Sequence, residues 1–270
     1  MKETVLDAND IKRIFPWFKN DKIINALLRW LHVSDTNALH AANCHKRGAD
    51  FSDSIVEGIG AKLVIDNEEV LKNLPEGSFV TVSNHPFGAL DGIIIISMFA
   101  RYRPEYKVMV NQFLTCIGAM CDNFISVEPV SSSDKAKAVS MNGIRTAIKH
   151  VREGNPIGFF PAGAVSKLKL DLTTEDREWQ SSIVRLIKQF KKPVIPVYFY
   201  GRNSIMFYFL RSINYLLSSL RLPTEVFNKK GKTIHIAIGQ PIMPEEYEHI
   251  EDIEELGKFL KSKSYELRKK

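Results

Sequence analysis

Cysteine is scarce in this sequence. Cys44, Cys116 and Cys121 are all it has, an odd number with no Cys-x-x-Cys pair or histidine cluster beside them, so neither a disulfide framework nor a zinc site is expected. Free thiols in a reducing compartment are the expected state. Long apolar runs are missing as well: no stretch reaches the roughly 18 to 20 residues that a spanning helix requires. The opening MKETVLDANDIKRIFPWF also lacks the apolar core of a secretory signal, so a cytoplasmic protein is expected. Repeats, Pro-rich stretches and Gly/Ser-rich linkers are absent, which argues against solenoids and disordered tethers. Zinc-finger spacing, RNA-recognition aromatics and a long basic helix are absent too, so no nucleic-acid partner is expected. No Gly-x-Ser-x-Gly elbow occurs, which argues against a serine hydrolase.

What is present begins with charge. Lys and Arg number 37 against 31 Asp and Glu, a formal net charge of +6 over 270 residues. Nucleic acid, an anionic lipid surface and an acidic carrier protein all suit such a balance. Two segments point toward lipid. In residues 21–33 the polar Lys22, Asn25, Arg29 and His32 form one narrow stripe on a helix otherwise covered by Ile23, Ile24, Leu27, Leu28, Trp30 and Leu31. Residues 204–222 repeat the pattern, with Arg211, Asn214, Ser218 and Arg221 as the stripe and Met206, Phe207, Phe209, Leu210 and Leu216 around it. Each helix must bury most of its circumference, in a protein core or in a membrane interface, and periodicity does not choose between them.

Strands are expected at 62–66, 79–83, 107–110, 123–127, 156–160, 193–200 and 232–238, with helices at 93–100, 133–153, 181–190 and 252–264 among them. Ser133 is the expected N-cap of the long helix and Gly154 its stop. The alternation predicts an α/β fold, a mixed and mostly parallel central sheet flanked by helices. A helical N-terminal region over 1–60, a candidate for membrane association, precedes one catalytic domain over 61–270.

Where the 79–83 strand ends, the chain reads Asn84-His85-Pro86-Phe87-Gly88-Ala89-Leu90-Asp91-Gly92. Pro86 biases His85 away from helical backbone. The glycines permit a tight turn, and Asp91 opens a helix, where the dipole favours a carboxylate. A carboxylate within reach of an imidazole fixes its tautomer and stabilises the imidazolium, so His85 and Asp91 are candidates for a base and its orienting partner. A lone loop histidine is most often structural; the combination carries the reading. No further ligands stand at zinc spacing.

The order of Asn84-His85 with Asp91, then Phe160-Pro161-Ala162-Gly163, then Val194-Ile195-Pro196-Val197 resembles the glycerolipid (lysophospholipid) acyltransferase superfamily over residues 62–241. Within it the spellings are similar to the hemolysin-like branch, which includes acyltransferases of ornithine and glycine lipids. The resemblance implies the glycerolipid acyltransferase fold. It also implies O-acyl transfer from an acyl carrier protein (acyl-ACP) or coenzyme A (acyl-CoA) thioester to a hydroxyl of a lyso-lipid, with no bound cofactor and no metal. A membrane surface becomes an expected partner, at the inner face of the cytoplasmic membrane. By the same resemblance His85 is the general base and Asp91 its partner. Asn84, Gly88, Phe160, Pro161, Ala162, Gly163, Ser166 and Lys167 bind substrate, and the Gly163 N–H is a candidate donor to the tetrahedral oxyanion. Lys167 with Lys169, and Arg145 with Lys149 on one helical face, are candidates to hold an anion; a solvated surface is the plainer reading of both pairs.

This chain departs from the family pattern. Five residues, 86–90, separate His85 from Asp91 where the usual spacing is four. Ala162 stands where the glycerophosphate enzymes carry Glu, and Ser126-Val127-Glu128-Pro129 lacks the Arg of their second block. Without that bidentate grip on phosphate, the expected acceptor is a lyso-aminolipid or another hydroxylated lipid. The same departures leave room for a second reading, a catalytically weak lipid-binding or membrane-interaction protein on the same fold.

Overall fold

Strand β2 (Val80–Ser83) and strand β8 (Val194–Phe199) are buried at every residue. Such strands belong in the middle of a sheet covered on both faces, and they read as continuous apolar runs because neither face meets water. The computed structural model, which describes residues 4–5, 7–9, 12, 20–128 and 134–268, places them there. The sheet adds β1 (Lys62–Asp66), β3 (Lys107–Asn111), β4 (Phe124–Val127), β5 (Ile157–Phe159) and β9 (Thr233–Ile238), in the order β1-β9-β8-β2-β5-β3-β4. From β8 to β4 neighbouring strands are parallel; β9 is antiparallel to β8, with Val197 opposite Ile238, and β1 is parallel to β9. This is the mixed, mostly parallel sheet expected. A separate hairpin of β6 (Lys167–Leu168) and β7 (Thr174–Glu175) lies where the sequence suggests only a loop.

Helices cover both faces. Helices α1 (Asp21–Trp30), α2 (Val33–Asn43), α3 (Gly48–Gly58) and the short α4 (Glu69–Lys72) precede β2, and α5 (Ala89–Ala100) follows it. Four consecutive isoleucines give α5 a poor intrinsic helix propensity. Its burial on every side decides the matter: Ile94, Ile95, Ile96 and Phe99 share one core with Phe51, Ile55, Val56 and Ile59 near α3 and with Ile195 and Val197 of β8. Residue 60 therefore marks the approach to the first strand and not the edge of a core. On the other face α6 (Asp134–Arg152), α7 (Ser181–Phe190) and α11 (Ile253–Glu266) pack Ala147, Val151, Val184, Ile187, Leu256 and Leu260 against Val80, Val82 and Ile157. The expected cap Ser133 lies outside the described residues.

The two amphipathic segments are both broken. Leu31 caps the end of α1, and His32, at φ 55, starts α2. Asn214 is extended (φ −157, ψ 132), and it splits 204–222 into α8 (Ile205–Ile213) and α9 (Tyr215–Leu220) before α10 (Leu222–Phe227). Helix α1 buries Ile24 and Leu28, with Leu220 packed beside them, and leaves Trp30 63% exposed. Helix α8 buries Phe207 but exposes Ile205, Phe209 and Ile213. No helix among the described residues is long and apolar enough to cross a membrane.

Candidate active site

Immediately after β2, the side chain of Asn84 does the work of a strand backbone. Its amide donates to the Phe199 carbonyl at 2.9 Å and accepts the Phe199 N–H at 2.7 Å, tying the carboxyl ends of β2 and β8 together. His85 thereby leaves the sheet at its carboxyl edge, where ligands bind in sheets of this kind. The chain then turns at Gly88, whose φ of 83 is a conformation that favours glycine.

That turn delivers Asp91 to the ring. Asp91 Oδ2 accepts the N–H groups of Phe87 at 2.8 Å and Gly88 at 2.9 Å, and it lies 3.0 Å from His85 Nδ1. Spacing longer by one residue has not separated the pair. The contact is at ion-pair distance without the alignment of a full hydrogen bond. Nδ1 is buried, and the His85 side chain is 19% exposed. Phe160 stacks on the ring with centroids 4.2 Å apart. Burial pushes the Asp91 carboxyl above the usual carboxylate range, against the pull of His85 and the two backbone N–H groups.

A second buried carboxylate reaches the same histidine through its backbone. Asp176 Oδ1 accepts the Ser166 hydroxyl at 2.5 Å and the His85 N–H at 3.3 Å, while Oδ2 accepts the Trp179 indole N–H at 3.2 Å. The Ser166 N–H donates to the His85 carbonyl at 2.8 Å, so Ser166 and Asp176 together hold both polar groups of the His85 backbone. Helix α11 anchors this segment: the Asp176 N–H donates to the Tyr265 hydroxyl and its carbonyl accepts the Lys261 ammonium, each at 2.7 Å. Burial raises the Asp176 carboxyl too, with Ser166 and Trp179 pulling it back. The sequence conceals Asp176, because TTEDREWQ reads as solvated charge and only Trp179, three residues on, hints at an interior.

Several expected substrate contacts have other places. Ser166 is fully buried with its hydroxyl committed to Asp176, and Asn84 is fully buried with its amide committed to Phe199; both position His85 and neither is open to a substrate. Pro161 and Ala162 are buried beneath the loop, and the Ala162 carbonyl accepts from Arg177. Gly163 is exposed, at φ 61, but its N–H already donates to the Phe160 carbonyl at 2.9 Å, so it is no free oxyanion donor. Phe160 is against the ring, Gly88 is buried in the turn, and Lys167 is exposed on β6. Lys169 pairs with Glu175 at 2.7 Å, and Arg145 and Lys149 are exposed on α6. Among the described residues no group of three or more His, Cys, Asp or Glu side chains could hold a metal.

Two cavities flank the sheet. One of about 570 Å³ opens at the amino edge of the parallel strands, beside Ser78, Gly154 and Pro193, at the opposite edge from His85. The other, of about 470 Å³, opens at the carboxyl end of β8. His85 lines neither.

Comparison with known proteins adds lineage to this geometry. A family model described as Acyltransferase matches residues 8–270. A lyso-glycine lipid O-acyltransferase of Bacteroides thetaiotaomicron is 26% identical over 253 residues, covering 91% of this chain and 89% of the relative. Its namesake from Phocaeicola vulgatus is 27% identical over 257 residues, covering 91% and 87%. Among solved structures, the 1-acyl-sn-glycerophosphate acyltransferase PlsC of Thermotoga maritima aligns at a TM-score of 0.50 and 14% identity, over 91% of this chain and 88% of that one, a likeness of fold.

Proposed function

The chain belongs to the acyltransferase family whose model spans it from residue 8 to residue 270, and from that premise we propose that it moves a fatty acyl group from an acyl-ACP or acyl-CoA thioester to a hydroxyl of a lyso-lipid, with His85 as general base and Asp91 as its partner. The observation that carries this reading is a fully buried carboxylate 3.0 Å from Nδ1 of a part-exposed imidazole. Nδ1 keeps its proton toward Asp91, and Nε2 takes the proton of the acceptor hydroxyl. The hydroxyl oxygen attacks the thioester carbonyl, forming a C–O bond as the carbonyl electrons move onto oxygen. Collapse of that oxyanion breaks the C–S bond, and the departing thiolate takes the proton back from the imidazolium, so no acyl-enzyme forms. Lyso-aminolipids are the favoured acceptors: residues 126–128 carry no arginine to grip a phosphate, and the two relatives are named for a lyso-glycine lipid. Replacing His85 by Ala should cost at least about a hundredfold in turnover of a radiolabelled acyl donor across a lyso-lipid panel. Equal turnover by the variant and the wild type would sink the mechanism.

The acceptor is met at the inner face of the cytoplasmic membrane. Support comes from the exposed Ile205, Phe209 and Ile213 of α8 and Trp30 of α1. The two helical regions adjoin, since the Arg221 guanidinium lies 5.9 Å from the Trp30 ring, and aromatic and aliphatic groups beside cations suit a lipid interface. Asp substitutions at Ile205 and Phe209 should abolish flotation with phosphatidylglycerol vesicles; unchanged flotation would remove α8 from the account.

A further inference from the structure

The cavity of about 470 Å³ at the end of β8 is lined by Arg202, Asn203, Ser204, Glu225, Asn228, Lys229 and Lys232. Every lining residue carries a polar or charged group at its tip. Three cations face one carboxylate. That carboxylate is already engaged: Glu225 accepts the Ser204 N–H at 2.8 Å, the Ser204 hydroxyl at 2.6 Å and the Arg221 Nε–H at 3.1 Å, and this network ties the 201–204 loop to α10. Arg202 and Lys232 have no carboxylate partner among the described residues. Lys229 is only 8% exposed, yet its ammonium donates at 2.6 Å to a neutral carbonyl, that of Arg202, and otherwise lies 4.5 Å over the Phe87 ring. A buried cation with no carboxylate in direct contact is costly, and burial lowers the Lys229 ammonium to about 8 against the pull of Glu225. An amide oxygen of Asn203 is buried with no partner at all. The cavity thus presents three cations against one engaged carboxylate, beside a buried Asn203 amide oxygen that no described residue meets.

Topology places this cavity relative to the chemistry. Strands β8 and β2 are adjacent and parallel, so the loop after β8 stands beside the loop that carries His85, and Phe87 is the wall between them. A group in the cavity is near the reaction without touching it. The headgroup of an acceptor must lie within a few bonds of its attacking oxygen, at His85 itself. The phosphate of a thioester donor is set apart from its sulfur by the whole pantetheine arm, whose amide N–H and hydroxyl groups are donors. We propose that the Arg202, Lys229 and Lys232 cavity is the seat of the donor's phosphate, holding the pantetheine arm so that it passes Phe87 toward His85. This rests on the thioester-dependent acyltransferase reading above.

The test compares phosphopantetheine with pantetheine, which lacks the phosphate, in calorimetric titrations of the wild type and of an Arg202→Glu/Lys232→Glu variant whose fold is checked by circular dichroism. Arg202 is half-buried and Lys232 exposed, so the fold should tolerate both changes. The wild type should bind phosphopantetheine and not pantetheine, and the variant should bind it at least about tenfold more weakly. In turnover the same variant should raise KM for the acyl donor by about tenfold, with kcat and the acceptor KM unchanged. Equal binding of the two probes by the wild type would overturn the proposal. So would a change confined to the acceptor KM, or lost binding to phosphatidylglycerol but not phosphatidylcholine vesicles with an unchanged donor KM, which would mark a lipid phosphate as the occupant. The titration needs no turnover: phosphate-dependent binding lost in the variant would stand even if the wild type transferred no acyl group, whereas turnover without such binding would defeat this inference alone.

Discussion

Asp91 reaches the ring of His85, and Asp176 reaches its backbone. Both are buried, both have carboxyls raised by burial, and both accept backbone N–H groups. Their settings differ in what surrounds them. Asp91 keeps one oxygen, Oδ1, without any partner, in the first turn of a helix. Asp176 has both oxygens engaged, by Ser166, His85 and Trp179, and its own backbone strapped to α11. A carboxylate beside an imidazole orients the ring and stabilises the imidazolium; one with every oxygen engaged fixes the backbone it holds. On the proposed mechanism, the comparison gives chemistry to Asp91 and positioning to Asp176.

The sharpest way to break that division is Asp91→Ala, expected to lower kcat/KM by about a thousandfold with a native circular dichroism spectrum. A loss below about tenfold would mean that the ring needs no carboxylate. Asp176→Asn should cost about tenfold in kcat, because His85 is displaced and not removed; a loss equal to that of Asp91→Ala would erase the distinction. The same variant carries a pH signature. The native state holds the Asp176 proton more tightly than the unfolded chain, so this group's contribution to stability is present below the ordinary carboxylate value and is lost as pH rises toward the raised folded value. Urea unfolding at a series of pH values should therefore show the variant gaining on the wild type as pH rises above the ordinary aspartate value of about 4. A difference independent of pH would place the burial of Asp176 in doubt. The smallest effect is expected from Lys169→Met, which breaks the exposed pair with Glu175 on the same hairpin: rate and melting temperature should not move.

Much of the sheet was legible. The expected strands coincide with β1 and fall within a residue or two of the other main-sheet strands, because apolar period and turn residues are local properties. The hairpin of β6 and β7 was not, since its two-residue strands are too short to show a period. Its hidden partner is Asp176, which bonds to a histidine 91 positions away. The polar stripe at 204–222 shows in the sequence but its break does not, since Asn214 looks like one more polar residue of the stripe and only its extended backbone splits the helix.

By itself the sequence determined the class of fold, the order of the blocks around His85 and the need to bury two amphipathic segments, because each follows from residue types at short, fixed intervals. Only the tertiary structure decided that Asp91 meets the ring despite its longer spacing, that the Gly163 N–H is already committed, and that Ser166 and Asp176 hold the His85 backbone. It also brought Arg202, Lys229 and Lys232 around one cavity. Contacts of that kind depend on which strand ends are stacked side by side, and side-chain spacing along the chain does not encode it.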